Sequence, residues 1–218
     1  MNKRMTQTDW TEYYRGKRSW FSTFTQKFTL EKIIKCINDY TKCQVEKITI
    51  LELGGGNSCF AENICRRIPT DTYDIVDNNE LSVALFFKQK IAAKKTEGFL
   101  LDLLSDDNGK LLENTYDFVF SVGLIEHFRG RDIDTIINKH FVYCKKGGTV
   151  MITFPTPTLK YRLIRKAMEM LHVWRFWDEK PLNFEDVRDS IQLRGSIEKV
   201  YINKMLPLTQ MVVIAKKL

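Results

Sequence analysis

The sequence predicts an α/β fold: a mostly parallel seven-stranded sheet, helices on both faces and an antiparallel strand at one edge. Three observations predict it. Short apolar runs alternate with helical periodicities through the middle of the chain, as in a parallel sheet whose crossovers are helices. One run ends in three glycines followed by a helix start, the turn such sheets use at a ligand crevice. The last two apolar runs, 197–202 and 209–215, are separated only by a short loop containing Pro207, which reads as a hairpin closing one sheet edge.

The elements follow in order. Residues 1–29 form an arm in which Trp10, Tyr13, Tyr14, Trp20, Phe21, Phe24 and Phe28 alternate with Arg15, Lys17, Arg18 and Lys27. From Leu30 the spacing Leu30, Ile33, Ile34, Ile37 is helical, and Thr29 is placed as its N-cap. Strands are predicted at 48–53, 73–76, 99–101, 116–121 and 149–154. Helices run through Phe60 to Ile68, stopped by Pro69, through Leu81 to Leu85, capped near Asn78 or Asn79, and through Ile133 to Phe141. A further helix covers about 184–193. Two units result: residues 1–45, the arm and first helix, and residues 46–218, the main domain, with an insertion at 155–183.

Composition narrows the class. Hydrophobic residues make up 44% and charged residues 28%, the balance of a chain that buries a core rather than a disordered one. No run of 18 apolar residues free of charge occurs and the first residues carry no apolar leader, so the expectation is a cytoplasmic protein that neither crosses a membrane nor is exported. Five cysteines without a CxxC pair favour reduced thiols over disulfides or zinc. Lysine and arginine exceed aspartate and glutamate by 34 − 27 = 7, which suits an anionic substrate, nucleic acid or a membrane surface without choosing among them.

The glycine loop is the most specific signal. Only glycine turns this tightly after a strand while leaving bare main chain for a ligand, so Gly54, Gly55 and Gly56 read as a nucleoside site. A dinucleotide fingerprint needs a third glycine where Cys59 stands, and no GK[ST] P-loop ending is present. Glu52, two residues before the loop, disfavours phosphate and suits a cation. Asp77 lies 77 − 56 = 21 residues past the last glycine, where an acid accepts ribose hydroxyls. Asp102 ends the third strand, where a carboxylate can accept from an adenine amino group.

The set Glu52-Leu53-Gly54-Gly55-Gly56-Asn57-Ser58, Asp77, Asp102, Tyr116-Asp117-Phe118-Val119-Phe120-Ser121, Gly123-Leu124-Ile125-Glu126-His127 and Lys146-Gly147-Gly148 resembles the class I S-adenosylmethionine-dependent methyltransferases, over about residues 46–155. The resemblance implies their Rossmann-like fold and S-adenosylmethionine as cofactor. It places Gly54 and Gly56 at the methionine part, Asp77 at the ribose, Asp102 at the adenine and Ser121 near the transferred methyl, with Gly55, Ser58, Asn78 and Leu103 also among the cofactor-binding residues. Ser58 stands where the family often has a further glycine. The arm becomes a candidate cofactor lid with the Tyr14 hydroxyl near the methionine carboxylate; covering the sheet edge is the alternative.

In-line methyl transfer needs alignment and exclusion of water more than catalytic side chains. A hydroxyl acceptor calls for a general base. His127, after the fourth strand, is the first candidate and Glu126 the second, while relatives often use such a pair to fix the loop. His140 falls on an apolar stripe and reads as packed. No spacing suggests a metal. In the insertion, Tyr161, Ile164, Met168 and Leu171 recur at helical spacing, broadened by Leu163, Ala167, Met170 and Trp174, with Lys160, Arg162, Arg165, Lys166 and Arg175 largely opposite. This basic amphipathic helix suits a pocket roof or peripheral contact with an anionic membrane. The segment 174–182 looks like one in bacterial methyltransferases of surface-polysaccharide pathways, so a small-molecule or glycan hydroxyl is the expected acceptor. RNA or protein methylation and a non-catalytic binding module are the rivals; without an Asn-Pro-Pro-Tyr type motif, a nucleic-acid base is disfavoured.

Overall fold

A computed structural model of the chain describes residues 7–16, 20–41, 46–105, 111, 113–204 and 208–218, with only the backbone for 20–24. The Trp20, Phe21 and Phe24 side chains, Lys17, Arg18 and Pro207 lie outside the described residues. The element order is α1 (Trp10–Arg15), α2 (Trp20–Tyr40), β1 (Ile48–Leu53), α3 (Ala61–Arg67), β2 (Thr70–Asp77), α4 (Glu80–Phe86), β3 (Gly98–Leu100), β4 (Tyr116–Val122), a 3-10 turn (Ile125–His127), α5 (Arg131–Tyr143), β5 (Cys144–Pro155), α6 (Leu159–Met170), α7 (Glu185–Gln192), β6 (Gly195–Asn203) and β7 (Gln210–Lys217).

Seven strands form one sheet in the order β3-β2-β1-β4-β5-β7-β6. The first five run parallel to one another. β7 runs antiparallel to both β5 and β6, so the hairpin closes the edge with its second strand on the inside. Strand alternation divides the core in two. Ile48, Ile50, Tyr73, Ile75, Phe118 and Phe120 pack with Ile33, Ile37 and Ile64 of α2 and α3, while Leu51, Leu53, Val119 and Ile152 pack with Ile136, Ile137 and Phe141 of α5 and Ile191 of α7. Burial on both faces explains why β1 and β4 read as nearly unbroken apolar runs. The chain leaves β1 to one side toward β2 and returns on the other as β4, and a crevice opens at the carboxyl ends where the order reverses.

Two local expectations are corrected. Thr29 is not an N-cap: α2 begins nine residues earlier, and the Thr29 hydroxyl donates back to the Thr25 carbonyl at 3.1 Å, the way a threonine is accommodated inside a helix. In the insertion, whose base is pinned by the Leu182 N–H on the Pro155 carbonyl at 2.9 Å, α6 turns Tyr161 inward, flanked by half-buried Ile164, Arg165 and Met168. The Arg165 guanidinium lies 4.8 Å from the Trp174 ring centroid and pairs with Glu169 and Glu179. Arg165 therefore belongs to the inner face, and Leu163, Met170 and Leu171 face out. Among the described residues, no helix is long and apolar enough to cross a membrane.

Candidate active site

The strand-to-helix turn after β1 builds the floor of the crevice. Gly54 and Gly56 take φ of +63° and +56°, conformations that only glycine adopts without strain. Ser58 also lies in the left-handed region at +39°, a conformation that favours glycine. Here the serine side chain compensates: its hydroxyl accepts from the Ala61 N–H at 3.0 Å, starting α3, and donates to Glu52 Oε2 at 2.5 Å. Gln89 donates to the carbonyls of Asn57 and Ser58 and holds the loop from outside.

Glu52 shares the strand face of Ile48 and Ile50, so its carboxylate lies under the loop and is 3% exposed. Tyr73 donates to the same Oε2 at 2.7 Å. Burial pushes the Glu52 carboxyl up to about 7, against the hydrogen bonds from Ser58 and Tyr73. A Cβ on Gly55 would stand 3.0 Å from the Glu52 side chain. Glu52 thus sits behind the glycine backbone.

Asp77 ends β2 with both oxygens engaged. Oδ2 accepts from the Gly56 N–H at 2.8 Å; Oδ1 accepts from the Asn79 N–H at 2.9 Å and the Ser82 hydroxyl at 3.0 Å. A carboxylate offers about four lone-pair positions, so room for one further donor remains. Asn79 is the N-cap of α4, accepting from the Ser82 N–H at 3.1 Å, and its amide donates to Thr11 of α1 at 2.9 Å. Asn78 is exposed beside it.

Helix α1, capped by Asp9 on the Glu12 N–H, lies over this floor. A Cβ on Gly56 would come within 2.1 Å of the Tyr14 hydroxyl oxygen, and one on Gly54 within 2.5 Å of Leu124 Cδ1. Burial, then the Asp77 carboxyl, keeps the Tyr14 phenol protonated. Gly56→Ala should therefore lift α1 from the loop; with ~1–2 kcal/mol for a left-handed alanine, urea unfolding is expected to show a stability loss of at least that size.

The other walls come from β3 and β4. Asp102 is exposed and its carboxylate accepts from the Leu104 N–H at 3.0 Å, while Leu103 packs into the core. The Ser121 hydroxyl is not in the crevice: on the strand face of Val119 it meets His140 Nε2 at 2.9 Å beneath α5. His140 Nδ1 meets the Ile136 carbonyl at 2.8 Å, and burial drives its pKa down to about 4, so the imidazole is a neutral core group. Glu126 is 2% exposed, and among the described residues its Oε2 has no hydrogen-bond partner. Burial, then the Glu179 carboxylate, pushes it far up, which holds it as a neutral acid sealed behind the loop.

His127 stands at the junction of arm, loop and insertion. Its Nδ1 lies 3.1 Å from Asp178 Oδ1. With Nδ1 donating, Nε2 carries the free lone pair. Burial lowers the His127 pKa, with Asp178 opposing, so the ring is neutral. Asp178 is held in turn by the Thr8 hydroxyl and, through its carbonyl, by Arg129. Burial would raise the Asp178 carboxyl, but Thr8 and His127 outweigh it and leave it low. Ring contacts link Trp10 to His127 at 5.1 Å and to Phe176 at 5.9 Å, and Tyr13 to Phe176 at 5.5 Å.

Of the sequence-predicted residues, the structure gathers Tyr14, Glu52, the three glycines, Ser58 and Asp77 at the loop, and His127 beside α1. It turns Ser121 away and encloses Glu126. Asp178, Phe176 and Trp10 join the site from segments distant in sequence; nothing local to His127 marks an acid 51 positions on. Among the described residues, no group of three or more His, Cys, Asp or Glu could hold a metal.

This sheet order and glycine turn define the class I methyltransferase fold, and comparison agrees. The chain is similar to magnesium protoporphyrin IX methyltransferase (ChlM) from Synechocystis PCC 6803 with bound SAH, at 12% identity over 93% of this chain and 90% of that one, TM-score 0.71. It is similar to the PH0226 protein from Pyrococcus horikoshii OT3, at 14% identity over 95% and 99%, TM-score 0.68, and to a SAM-dependent methyltransferase from Methanosarcina mazei, at 15% identity over 84% and 96%, TM-score 0.63. No curated protein matches the chain. A family model described as a methyltransferase domain matches residues 25–191. The chain belongs to that family and is an S-adenosylmethionine-dependent methyltransferase.

Proposed function

We propose that the enzyme methylates a hydroxyl of a small molecule or glycan, with His127 taking the acceptor proton. The observation that carries this reading is the His127–Asp178 pair, a neutral imidazole whose Nε2 lone pair is left free by the contact at Nδ1. S-Adenosylmethionine, when bound, supplies a methyl group on a sulfonium that departs as a neutral thioether. The residues fit that donor: bare backbone at Gly54 to Gly56, a remaining acceptor position on Asp77, and Glu52 behind the loop as a negative charge for the cation. Tyr14 and α1 would close over it and keep water out, and the rings of Trp10, Tyr13 and Phe176 suit a ring-shaped acceptor. The segment 174–182, which carries the likeness to surface-polysaccharide methyltransferases, supplies Phe176 and Asp178 to this wall.

Donor binding is tested by thermal shift. S-Adenosylmethionine and S-adenosylhomocysteine are expected to stabilise the chain, by about 2.7 kcal/mol at a hundredfold excess over Kd, and NAD is not. Asp77→Asn should weaken both ligands about tenfold or more, as loss of a charged hydrogen-bond acceptor does. For the acceptor, labelled methyl donor is incubated with cell extract, which is then separated into RNA, protein and lipid-glycan fractions. Label in the last, or in small hydroxyl compounds, is expected; label confined to RNA or protein would replace this reading with its rival.

A further inference from the structure

We propose that the outer face of α6 and the turn after it dock on an anionic membrane surface. Among the described residues, eleven large apolar side chains are exposed, and six of them (Leu159, Leu163, Met170, Leu171, Val173 and Trp177) lie between positions 159 and 177. Such clustering exceeds what scattered surface residues give. At 100° per residue, Leu159, Leu163 and Met170 fall within about 40° of one another, on the side opposite Tyr161 and Met168, which face the protein. Their exposures are 74%, 61% and 71%, so the helix has one stripe against the fold and a second against solvent.

The charge beside the outer stripe selects the occupant. Arg162 and Lys166 border it on one side and Lys160 on the other, all exposed. Among the described residues, no carboxylate pairs with Arg162 or Lys166. The one acid of α6, Glu169, is engaged by the inward Arg165 at 2.8 Å. An apolar stripe flanked by Arg162 and Lys166, which no described carboxylate pairs with, matches the boundary between acyl chains and anionic headgroups, where basic side chains reach up to phosphate while apolar ones enter. A second copy of the chain fits less well, because a two-fold contact through the stripe would bring the two basic borders together. Past the helix, the same insertion continues through buried Trp174 to Phe176 and Asp178, so the docking face and the site wall are parts of one segment.

The test is cosedimentation of the full chain with vesicles of phosphatidylcholine, with and without phosphatidylglycerol. Binding to the anionic vesicles is expected to exceed binding to neutral ones about tenfold or more and to fall as salt is raised. The double variant Leu163→Glu/Met170→Glu should lose that binding about tenfold while keeping the thermal shift with S-adenosylmethionine, which shows that its fold is intact and separates this proposal from the donor reading. Equal partition into both vesicle types, unchanged binding by the double variant, or a dimer in sedimentation velocity that the double variant dissociates would overturn it.

Discussion

Replacing His127 by glutamine is expected to lower the single-turnover rate of methyl transfer by about 10²–10⁴-fold, the range for loss of a positioned general base, with donor affinity nearly unchanged. The expectation rests on geometry. Asp178 accepts at Nδ1, so the proton-free Nε2 is the nitrogen left to work with. Burial keeps the ring below its ordinary pKa of 6.5, so it is ready to accept a proton at neutral pH. In the wild type the rate should therefore fall on acidification as His127 protonates, and the glutamine variant should lose that acid limb. Asp178→Asn gives the companion result. Without the carboxylate, which opposes the downward shift, the acid limb should move to lower pH and the rate should drop because the tautomer is no longer enforced. A purely structural His127 would leave the pH profile of the residual activity unaltered.

What was legible in the sequence had local causes. Glycines with positive φ, a helix cap at Asn78 or Asn79, which falls to Asn79, and the runs of β1 and β4 each follow from short-range chemistry, and so did the sheet and the floor of the crevice. Ser58 was legible as a helix start, because a hydroxyl three residues before Ala61 reaches its N–H. The remainder depended on facts that no window contains. Strand alternation puts Ser121 with Val119, but only the placement of α5 makes that face a core face and commits the hydroxyl to His140. The same parity puts Glu52 with Ile50, and the Tyr73 hydroxyl that holds it comes from the neighbouring strand. The Thr29 signal was overridden because α2 already runs through it. In α6, periodicity reads as one broad apolar stripe with the basic residues opposite; packing divides that stripe into an inner and an outer side, and Arg165 joins the inner one because Glu179 and Trp174, its inward partners, arrive from the turn beyond the helix.

Glu52→Gln should make the protein more stable and a poorer binder of its donor. The ordinary carboxyl value is 4.5 and the folded value about 7, so the folded state holds a proton that the unfolded chain releases between those values. Stability from this group is complete below about pH 4.5 and is lost as pH rises through about 7; at ~1.4 kcal/mol per pH unit the loss reaches about 3 kcal/mol. A glutamine stays neutral, and its carbonyl can still accept from Ser58 and Tyr73. Its advantage over the wild type should be small in acid and grow to about 3 kcal/mol above pH 7, read from urea unfolding across pH. Donor binding should respond in the opposite sense. A sulfonium above the glycine backbone favours the ionised carboxylate, so wild-type affinity for S-adenosylmethionine should rise with pH through about 7, while the variant binds weakly and with no such rise. S-Adenosylhomocysteine, which lacks the positive charge on sulfur, provides the control. If Glu52 acts on the donor through its charge, the substitution should penalise the sulfonium more than the neutral thioether, and an equal loss for both would assign Glu52 to loop architecture alone.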